Sequence, residues 1–212
     1  MRHEIDMKKL ILLVTLAGML PGHAMTPAAP MSAEQRLVRA HAAARTWQAT
    51  SKALALKIME EYGPPDQILS GLLIWEDAEP WSRIVVWNGD DSDNAGVRAP
   101  DLLELTLSCS VPREKREALA AFSDKIGVSG NGTRLSVRGG SEELILLAFN
   151  LAHEIITGAS DPGHAQLLYD RITRLSQAGK SSPYMRRLMF EHHRTLAKCE
   201  AEGHDWPLPN LR

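Results

Sequence analysis

Apolar positions recur at helical spacing after Ser32: Leu37, Ala40, Ala44, Trp47, Leu54, Ile58 and Tyr62 fall on one stripe. Ser32 followed by Ala33-Glu34-Gln35 supplies an N-cap with acidic and amide residues in the first turn. Gly63-Pro64-Pro65 stops the pattern, because glycine suits a left-handed cap and proline cannot continue the hydrogen-bond ladder. The spacing predicts a long helix to Tyr62, with a break near Thr50-Ser51. The period then changes. Leu72–Trp75 and Arg83–Trp87 are runs of branched and aromatic residues separated by turn chemistry, which predicts two strands. Leu103, Leu105, Leu107, Cys109 and Val111 alternate strictly with polar residues, the mark of a half-buried antiparallel strand.

Residues 113–123 read as a short helix. Ile126-Gly127-Val128 and Leu135-Ser136-Val137 flank Asn131-Gly132, a strong hairpin signal. From Ser141 the chain is apolar on nearly every side through Leu144, Ile145, Leu147, Phe149, Leu151, Ile155 and Ile156, so this helix is expected to be buried. A further helix starts at Asp161-Pro162, and a last one is expected from about Pro183 to Glu202. The order predicts an α+β domain: one antiparallel sheet of about four to five strands covered by helices, with a long N-terminal helix and a helical C-terminal part.

The N-terminus carries a different pattern. Lys8-Lys9, the apolar run Leu10–Leu20, Pro21-Gly22 and then His23-Ala24 have the order of charge, apolar stretch and small residue found in a signal peptide. The run is too short for the roughly 20 residues a bilayer span needs. Met7-Lys8-Lys9 opens the pattern directly, which makes Met7 a natural start. The division expected is 1–24 signal peptide, 25–32 linker, 33–203 single α+β domain and 204–212 irregular tail. The product is expected to be exported, periplasmic or secreted, with no membrane span in the mature chain.

The 212 residues are 44% hydrophobic and 24% charged with a formal charge of −2, a globular composition that gives no reason to expect nucleic acid as partner. Aromatic residues make up only 5%, so the placement of each tryptophan matters. Read by alternation, Trp81, Arg83, Val85 and Trp87 share one face of the second strand. An exposed Trp81–Arg83–Trp87 patch would suit partner binding, since tryptophan and arginine are frequent hot-spot residues; a structural role in the core is the competing reading.

Catalytic motifs are not met. His153-Glu154 lacks the second histidine of the zinc-protease helix, because position 157 is Thr. Gly127–Gly130 misses the nucleophile-elbow spacing by one residue. Asp90, Asp91, Asp93, Asn94 and Gly96 resemble a calcium loop, but Leu102 stands where the bidentate acid belongs. His192, Cys199 and His204 are the candidate metal ligands, imidazole and thiolate being proper for zinc or copper, without the tight paired spacing of structural sites. Cys109 and Cys199 are the two cysteines; an oxidising compartment would allow them to pair, and a buried thiol at Cys109 is the alternative.

Tyr62-Gly63-Pro64-Pro65-Asp66, then Trp75, Trp81-Ser82-Arg83 and later Asn150-Leu151-Ala152-His153-Glu154-Ile155-Ile156-Thr157-Gly158, resemble an uncharacterised family of short bacterial proteins that pair a YGPPD…W…PW-R region with an NLA–I-TG helix. The resemblance spans roughly residues 50–175 and implies no activity. A helix ending in Gly-x-Pro before a tryptophan-bearing hairpin is also similar to small accessory lipoprotein domains of outer-membrane assembly, although no cysteine near Ala24 could carry the lipid. The expectation is a non-catalytic exported protein that binds another protein or envelope component and calls for no cofactor. The alternatives are a small envelope hydrolase, with His41, His153, His164, His192 or His204 meeting an acid or hydroxyl in a cleft, and a metal-binding protein using the C-terminal His/Cys face.

Overall fold

The capping expected at Ser32 starts the first helix. In the computed structural model, which describes residues 30–89 and 101–190, Ser32 Oγ accepts from the Gln35 N–H at 3.2 Å and Gln35 Oε1 accepts from the Ser32 N–H at 2.9 Å. Helix α1 runs Ala33–Ala44 and α2 runs Ala49–Tyr62. The break falls a few residues before Thr50-Ser51. Thr46 Oγ1 donates back to the Ala43 carbonyl, Trp47 turns into the core, and the Gln48 N–H donates to Asn88 Oδ1 at 3.0 Å. A donor captured by a residue 40 positions away cannot continue the ladder. Gly63, at φ 78°, ends α2.

Six strands follow: β1 (Gln67–Leu69), β2 (Leu72–Glu76), β3 (Arg83–Trp87), β4 (Leu103–Ser108), β5 (Ile126–Val128) and β6 (Arg134–Gly139). They form one antiparallel sheet in the order β1-β2-β3-β4-β6-β5. The count is one above the four to five expected. The extra strand is β1, three residues whose burial alternates but which is too short for a period to be read. The Asn131-Gly132 turn joins β5 to β6, with Gly132 at φ 76°. Asn131 Oδ1 ties the loop by accepting from Ser129 Oγ, Thr133 N–H and Thr133 Oγ1.

Helices α3 (Arg116–Phe122), α4 (Glu142–Thr157) and α5 (Pro162–Gln177) complete the single α+β domain. Ser141 caps α4, Gly158 at φ 82° ends it, and Asp161 Oδ1 caps α5 through the His164 N–H at 3.0 Å. Leu73, Trp75, Ile84, Val86, Leu103, Leu105, Leu107, Leu135 and Val137 face one core with buried residues of all five helices. Helix α4 lies within it, with Ile145, Leu147, Phe149, Leu151 and Ala152 at zero exposure, as its lack of a polar face requires. The opposite sheet face carries cross-strand ion pairs, Glu76–Arg83 at 3.4 Å and Glu104–Arg138 at 2.8 Å.

The helix expected from Pro183 does not form through residue 190. A 3-10 turn, Pro183–Met185, is followed by irregular chain. No helix among the described residues is long and apolar enough to cross a membrane. The leader region 1–24, most of the 25–32 linker, the acidic loop 90–100, the remainder of the last expected helix and the 204–212 tail lie outside the described residues.

Candidate functional site

The Trp81–Arg83–Trp87 patch is not one surface. Within β3 the alternation holds: Ile84 and Val86 are fully buried on the core face, so Arg83 and Trp87 point the other way. There Arg83 pairs with Glu76, and the Arg138 guanidinium sits 5.2 Å from the centre of the Trp87 ring. Trp81 precedes the ladder, inside a turn closed by its own N–H donating to the Ala78 carbonyl at 2.8 Å. The turn, not the pleat, sets its direction. Its ring goes to the core side at 2% exposure and stacks on Phe149 with centroids 5.4 Å apart.

That placement builds a different site. Trp81 Nε1–H donates to Tyr62 Oη at 3.1 Å, and Tyr62 O–H donates to Glu142 Oε1 at 2.8 Å. Tyr62 is the last residue of α2 and Glu142 the first of α4, so the relay joins two helix ends to the turn before β3. Next to it Trp75 Nε1–H donates to the Gly63 carbonyl at 2.9 Å, and Lys57 Nζ donates to Glu143 Oε1 at 3.1 Å. Burial pushes both the Tyr62 phenol and the Glu142 carboxyl above their ordinary ranges, and the Tyr62 hydrogen bond offsets part of the effect on Glu142.

Above the relay opens a cleft of about 380 Å³. Pro80, Trp81, Leu146, Leu188 and Phe190 make its apolar walls, while Glu142, Arg186 and Arg187 bring charge to it. Its outer wall is segment 184–190, which α4 holds through Asn150, His153 and Glu154. Asn150, 2% exposed, donates through Nδ2 to the Tyr184 and Arg187 carbonyls, both at 2.9 Å. Its Oδ1 accepts from the Met189 N–H at 2.7 Å. One turn on, the His153 ring stacks on Phe190, centroids 4.2 Å apart and nearly parallel. Glu154 accepts a hydrogen bond from the Tyr184 hydroxyl. Burial lowers the His153 pKa and raises that of Tyr184. Three bonds from one amide explain why a stretch rich in helix formers is not a helix here.

Among the described residues no histidine meets an acid or a hydroxyl in the cleft. His153 faces an aromatic ring. His164 Nδ1 lies 3.2 Å from Ser160 Oγ, but this pair is exposed at the start of α5, away from the cleft. His41 is exposed on α1. Among the described residues no group of three or more His, Cys, Asp or Glu side chains could hold a metal. The candidate ligands His192, Cys199 and His204 lie outside the described residues, as does the calcium-like loop. Cys109 is fully buried on the core face, and Cys199, its candidate disulfide partner, is outside the described residues.

Sequence reasoning singled out Trp81, which lines the cleft, and Tyr62 and Asn150, which brace its walls. It missed Glu142, and it assigned Arg186, Arg187, Leu188 and Phe190 to a helix. A polar Asn150 in an otherwise apolar helix was the available signal, because a buried amide needs partners. No family model, no curated protein and no solved structure matches the chain.

Proposed function

We propose that the chain is an exported, non-catalytic binding protein that takes a protein or peptide partner in the Trp81–Glu142–Phe190 cleft. The observation that carries this reading is the construction of the cleft. Its walls come from three distant segments, and each wall is fixed by hydrogen bonds made before any ligand arrives. Preorganised apolar walls with a few polar groups are what ligand sites use, because little ordering is left to pay on binding. Leu188 and Phe190, both half-buried, supply apolar contact area with Trp81 as the floor beneath them, and Arg186 and Arg187 supply charge at the opening. Export is supported by the Lys8-Lys9, Leu10–Leu20, Ala24 order.

The test is a photo-crosslinking amino acid placed in living cells at Leu188, with Leu167 on the exposed face of α5 as the control position. The expected result is a discrete adduct with an envelope component from position 188 only, on a protein whose N-terminus is at or near Met25. Equal labelling from both positions, or a cytoplasmic product that keeps the apolar run, would contradict the proposal.

A further inference from the structure

We propose that the cleft recognises the free C-terminal carboxylate of an apolar peptide. This rests on the cleft being the binding site, and it adds the chemistry of the occupant. Arg186 and Arg187 are both exposed at the cleft, and among the described residues neither forms an ion pair. Two arginines lining a cleft with apolar walls match a carboxylate attached to an apolar group, which a guanidinium can bind through paired N–H donors.

Glu142 narrows the choice. Its Oε1 is taken by Tyr62, whereas no donor among the described residues reaches its second oxygen. The carboxyl lines the cleft, and a ligand seated there would cover that oxygen. A peptide brings a backbone N–H that can donate to it, together with a side chain for the Trp81, Leu146 and Phe190 walls. A fatty acid brings the carboxylate and the apolar chain but no donor, and would bury the Glu142 oxygen without a partner, which costs free energy. The volume, about 380 Å³, is near the small end of ligand sites and suits one or two residues at a chain end rather than a long segment.

Calorimetry on the purified protein tests this with acetylated tripeptides ending in Leu or Phe, each as free acid and as amide, and with decanoate. The expected order is free acid tightest, with the amide weaker by about tenfold or more, since a charge-assisted hydrogen bond is lost. Decanoate should bind more weakly than the peptide acid. In the variant Arg186→Gln with Arg187→Gln, acid and amide should become equal while the melting temperature stays unchanged, because neither arginine braces the fold through an ion pair among the described residues. Equal binding of acid and amide by the wild type, competed between them and abolished by Leu146→Asp in a folded variant, would overturn the carboxylate inference and leave the cleft as the site. Decanoate binding more tightly than every peptide acid would overturn the peptide in favour of a lipid acid. No binding by any probe would overturn the inference, with the crosslink from position 188 deciding separately whether the cleft is used.

Discussion

Asn150 is the side chain on which the cleft depends, and replacing it has a cost that can be worked from its bonds. Asn150→Ala removes two donors from the Tyr184 and Arg187 carbonyls and one acceptor from the Met189 N–H. At about 1 kcal/mol for each net hydrogen bond, the loss is about 3 kcal/mol. For a domain of this size that lowers the melting temperature by about 9 °C. Asn150→Asp keeps the shape but turns the donors into acceptors, so a buried carboxylate faces two carbonyl oxygens. An uncompensated buried charge costs about 3–5 kcal/mol, and the aspartate variant should be less stable than the alanine one at neutral pH. Its deficit should shrink on acidification, because a protonated carboxyl can donate to one of the carbonyls and its folded pKa is therefore raised. The assay is urea unfolding followed by circular dichroism, with hydrogen exchange read at the Met189 amide. Exchange there should rise by about 100-fold in Asn150→Ala. A loss below about 1 kcal/mol, or an aspartate variant as stable as the alanine one, would refute the clamp.

Trp81→Ala should cost about 3–5 kcal/mol as a buried aromatic truncation, whereas Trp87→Ala, which removes a half-buried ring and its contact with Arg138, should cost less; matched urea melts separate the two. Burial lowers the His153 pKa, so the unfolded chain binds more protons below about pH 6.5. Its contribution is therefore intact above that pH and is lost as pH falls through it, at up to about 1.4 kcal/mol per pH unit; His153→Gln should flatten this part of a stability–pH profile. Burial raises the Glu142 pKa, so its contribution is fully present below about pH 4.5 and declines as pH rises past it. Glu142→Gln, which keeps an acceptor for Tyr62, should accordingly raise the urea midpoint at pH 7 relative to wild type and not at pH 4.

The parts of the fold that were legible are those whose cause is local. The Leu103–Val111 alternation, the Asn131-Gly132 turn and the all-round apolar character of α4 each state their own burial, and Ser32, Ser141 and Asp161 cap where their side chains reach the next turn. Trp81 could not be placed by alternation because it stands outside the ladder that enforces the pleat. The break before α2 depends on Asn88, and the coil at 184–190 depends on Asn150; in both cases a distant amide outbids the intrinsic helical preference of the segment. The cleft was illegible for the same reason. Tyr62, Trp81, Glu142 and Phe190 belong to four segments, and only the sheet order and the packing of α4 bring them together.

The central claim, that binding occurs at the Trp81 cleft and not on the opposite sheet face, can be read from the indole N–H resonances of the five tryptophans. The Trp81 Nε1–H, bonded to Tyr62, would be assigned by its loss in Trp81→Phe and followed while the tripeptide free acid is added. A saturable shift of the Trp81 indole and of the Met189 and Phe190 amides is expected, with the Trp87 and Trp47 indoles unmoved. A shift centred on the Trp87 indole, with Trp81 unmoved, would contradict the claim.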